Sequence, residues 1–138
     1  MLGRLGRRLS LADAAGLDAY CVATEGVSHF VYLAHRAAEE RQVSLLELEL
    51  QAEVDKFVLS LEFSTDSAQG LLDRMFDSPH FLDDEGTEAG ERYRLAHHLA
   101  ARFVSRVLVA NDLARAQERL RSFYRAGQTE KIRLARAA

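Results

Sequence analysis

The chain has 138 residues, 48% hydrophobic and 28% charged, with a single proline, a single cysteine and a net charge of −3. That balance excludes an intrinsically disordered chain, and a lone cysteine, Cys21, excludes a disulfide-stapled secreted scaffold. No apolar run approaches the ~20 residues that a bilayer span requires. Arg4, Arg7 and Arg8 open the chain with no apolar stretch after them, so a cytoplasmic protein without a secretory signal is expected.

The charge is unevenly laid out. Residues 1–10 carry +3 and residues 113–138 carry +5, while residues 11–112 carry −11. The expected organisation is a single helical domain over residues 1–138, with a basic N-terminal arm over 1–10 and a frayed basic tail over 128–138. The basic ends either lie against the acidic body or meet an anionic partner.

Ser10-Leu11-Ala12-Asp13 has the spacing of a capping box, with Asp where Glu or Gln is usual, and predicts a helix start. Ala23, Val27, Phe30, Ala34 and Ala37 then recur at three- and four-residue steps. That period predicts a helix over 11–41, unbroken or interrupted at Gly26. Ser44-Leu45-Leu46-Glu47 is a full capping box, followed by Leu46, Leu50, Val54, Phe57, Val58 and Leu61 at helical spacing over 44–63. Ser64-Thr65-Asp66-Ser67 can cap a third helix over 67–76, stopped by Asp77-Ser78-Pro79. After the acidic loop Asp83-Asp84-Glu85-Gly86, Thr87 predicts the start of a long fourth helix over 88–126. Its interior holds no glycine or proline after Gly90, and Gly127 is the expected C′ residue. Unbroken, it would be ~58 Å long and would overhang its own bundle unless bent at Asn111-Asp112.

The fold expected is therefore all-α, a four-helix bundle-like domain with a long C-terminal helix. Its predicted core is Val27, Phe30, Leu46, Leu50, Val54, Phe57, Leu61, Leu71, Met75, Phe103 and Val107. An overhanging helix leaves an apolar stripe in need of a partner. Arg115, Leu120, Phe123 and Tyr124 are the candidate partner-binding residues, for a homo-oligomer or another protein.

Candidate chemistry centres on Glu25, His29, Tyr32 and Arg36, which share one face of the first helix. Glu53 with Glu49 on the second helix, and Glu91, His97 and His98 on the last, could supply further ligands. Inward carboxylates and histidines can build a metal site in a bundle, and Glu25, His29, Glu53, Glu91, His97 and His98 are the candidate set. The chain lacks the Glu-x-x-His spacing of the di-iron bundles, so no metal or other cofactor is assigned. No nucleophile elbow, Walker loop or dinucleotide-binding glycine pattern is present, and no catalytic residue is assigned. A third reading is nucleic-acid binding through Arg115, Arg119, Arg121 and Arg125, with Phe123 and Tyr124 as stacking aromatics. The acidic body and a pI near 5.9 oppose it. The function expected is a non-enzymatic helical interaction or scaffold module that self-associates.

Overall fold

A computed structural model describes residues 14–63, 67–77, 86–109 and 112–137. The capping box at Ser10, the basic arm over 1–10, the acidic stretch at 83–85 and Asn111 lie outside the described residues. What is described is helical with no strand: α1 (Ala14–Ala38), α2 (Leu45–Phe63), α3 (Ala68–Leu72) with a π-helical turn (Asp73–Asp77), α4 (Glu88–Val109), α5 (Leu113–Arg125) and α6 (Gln128–Arg136).

Side chains at the helix starts account for several of these boundaries. Ser44 Oγ accepts from the Glu47 amide at 3.0 Å, Ser67 Oγ from Gly70 at 3.1 Å, and Thr87 Oγ1 from Gly90 at 3.0 Å. Asp112 is a fourth cap, accepting from the Arg115 amide at 3.1 Å. Its extended backbone ends the expected fourth helix and starts α5. The long C-terminal helix is therefore divided. Residues 128–136 are not frayed either: they form α6, with Lys131 and Ala135 buried. Gly127 does not take the left-handed C′ conformation. It is extended, and a Cβ there would come within 3.2 Å of the Arg41 guanidinium.

α2 is the central helix, with α1 on one side and α4 on the other. α6 lies against α4 and α2, and α5 reaches back to α4. The apolar cluster is built from Leu50, Val54 and Phe57 of α2, Leu99, Phe103 and Val104 of α4, Leu71 and Phe76, and Phe123 of α5. Phe103 and Phe123 stack with ring centroids 4.2 Å apart. Leu120 and Phe123, expected on an overhanging stripe, pack into the molecule because the break before Leu113 folds α5 back.

α1 departs furthest from expectation. It runs unbroken through Gly26, but Val27 and Phe30 are not core residues; they are 63% and 75% exposed. The inward face is polar: Thr24, Ser28, Tyr32 and Arg36, stepping by four residues, are all buried. Leu17 is α1's one buried large aliphatic side chain among the described residues.

α1 ends in a Schellman arrangement, with the Arg41 amide donating to Arg36 O at 2.9 Å and the Glu40 amide to Ala37 O at 3.0 Å. The C′ residue is Glu40, at φ 54°, where a Cβ is strained. Glu40 is exposed and replaceable. Glu40→Gly is expected to raise stability by about 0.5–1 kcal/mol, read as a higher urea midpoint at unchanged slope. A midpoint that stays or falls would contradict the strain assigned to this turn.

Candidate functional site

Two features of the structure stand apart from ordinary packing: a buried polar network around α2, and the outward face of α1. The network follows from the sequence of α2. Residues 47–54 are buried one after another, yet four of the eight are Glu47, Glu49, Gln51 and Glu53. A buried carboxylate without a partner costs several kcal/mol, so each neighbouring element must bring one.

α1 supplies Tyr32 and Arg36. The Tyr32 hydroxyl donates to Glu47 Oε1 at 2.5 Å, and Arg36 Nη2 donates to Tyr32 Oη at 3.0 Å. Ser44 thus makes its half of the capping box, while the Glu47 carboxylate is engaged by α1. Burial, and then the hydrogen bond to Glu47, push the Tyr32 phenol above its ordinary value. One helical turn along, Ser28 Oγ donates to Asp55 Oδ2 at 2.6 Å, and Gln51 Nε2 donates to Asp55 Oδ1 at 2.8 Å. Burial raises the Asp55 carboxyl despite both bonds.

α6 supplies Lys131, which has 0% exposure. Its ammonium donates to Gln51 Oε1 at 2.7 Å and to the carbonyl of Phe123, and lies 4.4 Å from the Phe123 ring centroid. Burial, and then the nearby Arg36 guanidinium, bring its pKa down to about 7, although Glu47 and Asp55 oppose this. Arg36 also donates to the carbonyls of Tyr124 and Ala126, and Arg41 donates to that of Arg125. Three cations thus meet the carbonyls at the end of α5, where the helix dipole favours positive charge. A cleft of about 440 Å³ opens beside the network between His35, Asp55, Arg121 and Tyr124. Lys131 is enclosed behind Gln51 and has no surface to offer a substrate, so its lowered pKa reflects desolvation.

On the other side of α2, Glu49 receives Arg92 at 2.9 Å on both carboxylate oxygens, and burial raises its carboxyl against that pair. Glu53 lies 3.0 Å from His97 Nδ1 and also binds the Lys56 ammonium. Burial works to raise the Glu53 carboxyl, but His97 and Lys56 together hold it below its ordinary value. His97 Nε2 faces the Phe76 carbonyl at 3.2 Å, brought there by the π-helical turn.

Of the candidate metal ligands, Glu53 and His97 touch, and Glu25 joins them only through Lys56, 3.4 Å away. His29 Nε2 is enclosed without a hydrogen-bond partner among the described residues. Glu91 and His98 are exposed, and Glu91 accepts from the Gly86 amide instead of approaching the others. Among the described residues, no group of three or more His, Cys, Asp or Glu side chains could hold a metal ion. Lys56 fills the space between Glu25 and Glu53 with its own charge. Burial raises the thiol of half-buried Cys21, so it is not an activated nucleophile.

The C-terminal arginines diverge. Arg115 and Arg119 border a cleft with Arg106, whereas Arg121 and Arg125 border the cleft beside Asp55. Phe123 is fully buried, and Tyr124 packs edge-on to Tyr32 with centroids 5.3 Å apart. These arginines do not form one track, and Phe123 is not available for stacking.

The outward face of α1 is the second feature. Val22, Val27, Phe30, Val31 and Leu33 are all exposed, with Ala19, Ala23, Gly26, Ala34 and Ala37 among them. At 100° per residue these positions span about half the helix circumference, and none of them is charged. Exposed Leu45, Leu59, Leu95 and Leu113 lie apart from one another on other helices, as on any protein surface. No helix among the described residues is long and apolar enough to cross a membrane. No protein family, characterised protein or solved structure gives a significant match to the chain.

The position of Lys131 sets a pH dependence. Its folded pKa of about 7 lies below the ordinary 10.5, so between these values the unfolded chain holds the proton more tightly. Stability should therefore rise with pH through this window, since the penalty for a buried ammonium is fully present below pH 7 and fades above it. Between pH 7 and 9 the gain is on the order of 2 kcal/mol for this one group. Urea unfolding of Lys131→Met should lack that rise. An equal rise in both proteins would contradict the assignment to Lys131.

Proposed function

We propose that the protein is a non-enzymatic, cytoplasmic helical interaction module, and that it binds another protein chain through the outward face of α1. The observation that carries this reading is the exposure of five large apolar side chains on one continuous face, Val22, Val27, Phe30, Val31 and Leu33. They leave about 500 Å² of apolar surface in water, within the ~300–600 Å² typical of the largest, often functional, patch on a monomer. The polar network supports the same reading by a different route. It fixes α1 to α2 through Tyr32, Arg36 and Ser28, so the outward face is presented on a rigid support. The candidate interaction surface therefore moves from Leu120 and Phe123 to α1.

Site-specific photo-crosslinking in the source cells tests this reading for any protein partner, including a second copy. A photoreactive phenylalanine analogue in place of Phe30 should capture protein, while the same analogue at exposed His98 should not. No adduct at position 30, or equal adducts at both positions, would count against an interaction face on α1.

A further inference from the structure

The outward face of α1 is larger than scattered surface residues produce, and its composition is ordered along the helix. The large side chains leave about 500 Å² exposed, and the exposed alanines and Gly26 add enough to approach the ~800 Å² that each partner gives to a standard interface. One helix face thus offers a large share of the area a stable dimer needs.

The order of residues narrows the occupant further. Ala19, Ala23, Gly26, Phe30, Leu33 and Ala37 alternate four- and three-residue steps, the d–a–d–a–d–a register of a coiled-coil seam. All six are exposed. In an antiparallel pair, a positions of one helix meet d positions of the other. With the two-fold axis level with position 28, Phe30 faces Gly26 of the other copy, Leu33 faces Ala23 and Ala37 faces Ala19. Each large side chain meets a small one, in both directions at once. Gly26 has the room for this, since nothing lies within 4 Å of where its Cβ would be. A parallel pair would set Phe30 on Phe30 and leave Gly26 facing Gly26, with a gap. Opposed helices also align their dipoles favourably, and no charged residue lies in the seam.

We infer that this face is the interface between two copies of the chain, packed antiparallel along α1, with Phe30 of each copy seated on Gly26 of the other. The inference rests on the reading of α1 as an interaction face and names its partner. Such an isologous contact is self-closing, which gives a dimer and not a filament. Ser28, Tyr32 and Arg36 point away from the seam into α2, so pairing leaves the buried network intact.

The test is the mass of the full chain by sedimentation equilibrium at tens of micromolar, with circular dichroism on each variant. The wild-type chain should be a dimer. Phe30→Glu should be a helical monomer, and Gly26→Phe, which sets ring against ring, should weaken dimerisation at least tenfold. Combining Gly26→Phe with Phe30→Ala restores a large residue opposite a small one and should recover the dimer to within about tenfold of wild type. A monomeric wild type, a dimer indifferent to Phe30→Glu, or a double variant no tighter than Gly26→Phe alone would overturn the inference. Should either variant at these positions lose its helicity, disulfide formation decides. In a Cys21→Ala background, chains carrying Ala23→Cys mixed with chains carrying Leu33→Cys should cross-link; failure to do so overturns the antiparallel pairing. If the wild-type chain is a monomer while position 30 captures a different protein in cells, the interaction reading stands and the second copy falls.

Discussion

The arrangement of this protein depends on one constraint: over residues 47–54 its central helix is buried on every side and is also charged. A helix enclosed by its neighbours is ordinarily apolar all round. Here Glu47, Glu49, Gln51, Glu53 and Asp55 sit among Leu48, Leu50, Ala52 and Val54. Each surrounding element must therefore do two things, closing the apolar core and delivering a donor to a particular carboxylate or amide. α4 brings Arg92 and His97, α6 brings Lys131, and α1 brings Ser28, Tyr32 and Arg36. Removing one partner of such a pair leaves a buried charge uncompensated, at a cost of about 3–5 kcal/mol.

The same constraint decides which way α1 faces. Rotated by half a turn, α1 would bury Val27, Phe30 and Leu33, each side chain contributing about 1.5–3 kcal/mol. It would also strip Glu47 of Tyr32 and Asp55 of Ser28, leaving Asp55 only Gln51, and the loss at these two carboxylates is of the same order. In an isolated chain these terms are of similar size, and the polar face is the one α1 turns inward. Covering the apolar face with another chain removes the competition, since both faces are then satisfied. The exposed stripe on α1 follows from what α2 demands.

This is also why the helices were legible in the sequence and the orientation of α1 was not. Ser44, Ser67 and Thr87 announce helix starts through side-chain chemistry that is local, and Asn111-Asp112 marked the only expected bend in the last segment. Periodicity gives the angle between an apolar and a polar face; it does not say which one looks inward. For α2, where Leu50, Val54 and Phe57 face the core, the usual assumption holds. For α1 it inverts Val27 and Phe30. Arg92 and His97, which pair with Glu49 and Glu53, lie 43 and 44 residues away, beyond any spacing argument. α6 was unreadable for a related reason: its fully buried residues are Lys131 and Ala135, which carry little hydrophobic signal.

The uneven charge of the chain finds part of its explanation at the helix ends. The last carbonyls of a helix lack intrahelical donors and carry partial negative charge. At α5 those of Phe123, Tyr124, Arg125 and Ala126 receive Lys131, Arg36 and Arg41, and near the end of α6 those of Leu134 and Ala135 receive Arg106. Lys131 also reaches α2, donating to Gln51. One buried ammonium therefore ties the α5–α6 turn to the central helix and satisfies groups on both. An arginine there would bring a larger, planar fork into a space enclosed by the Phe123 and Tyr32 rings. A compact ammonium fits that space, and its lowered pKa is the consequence of being enclosed there.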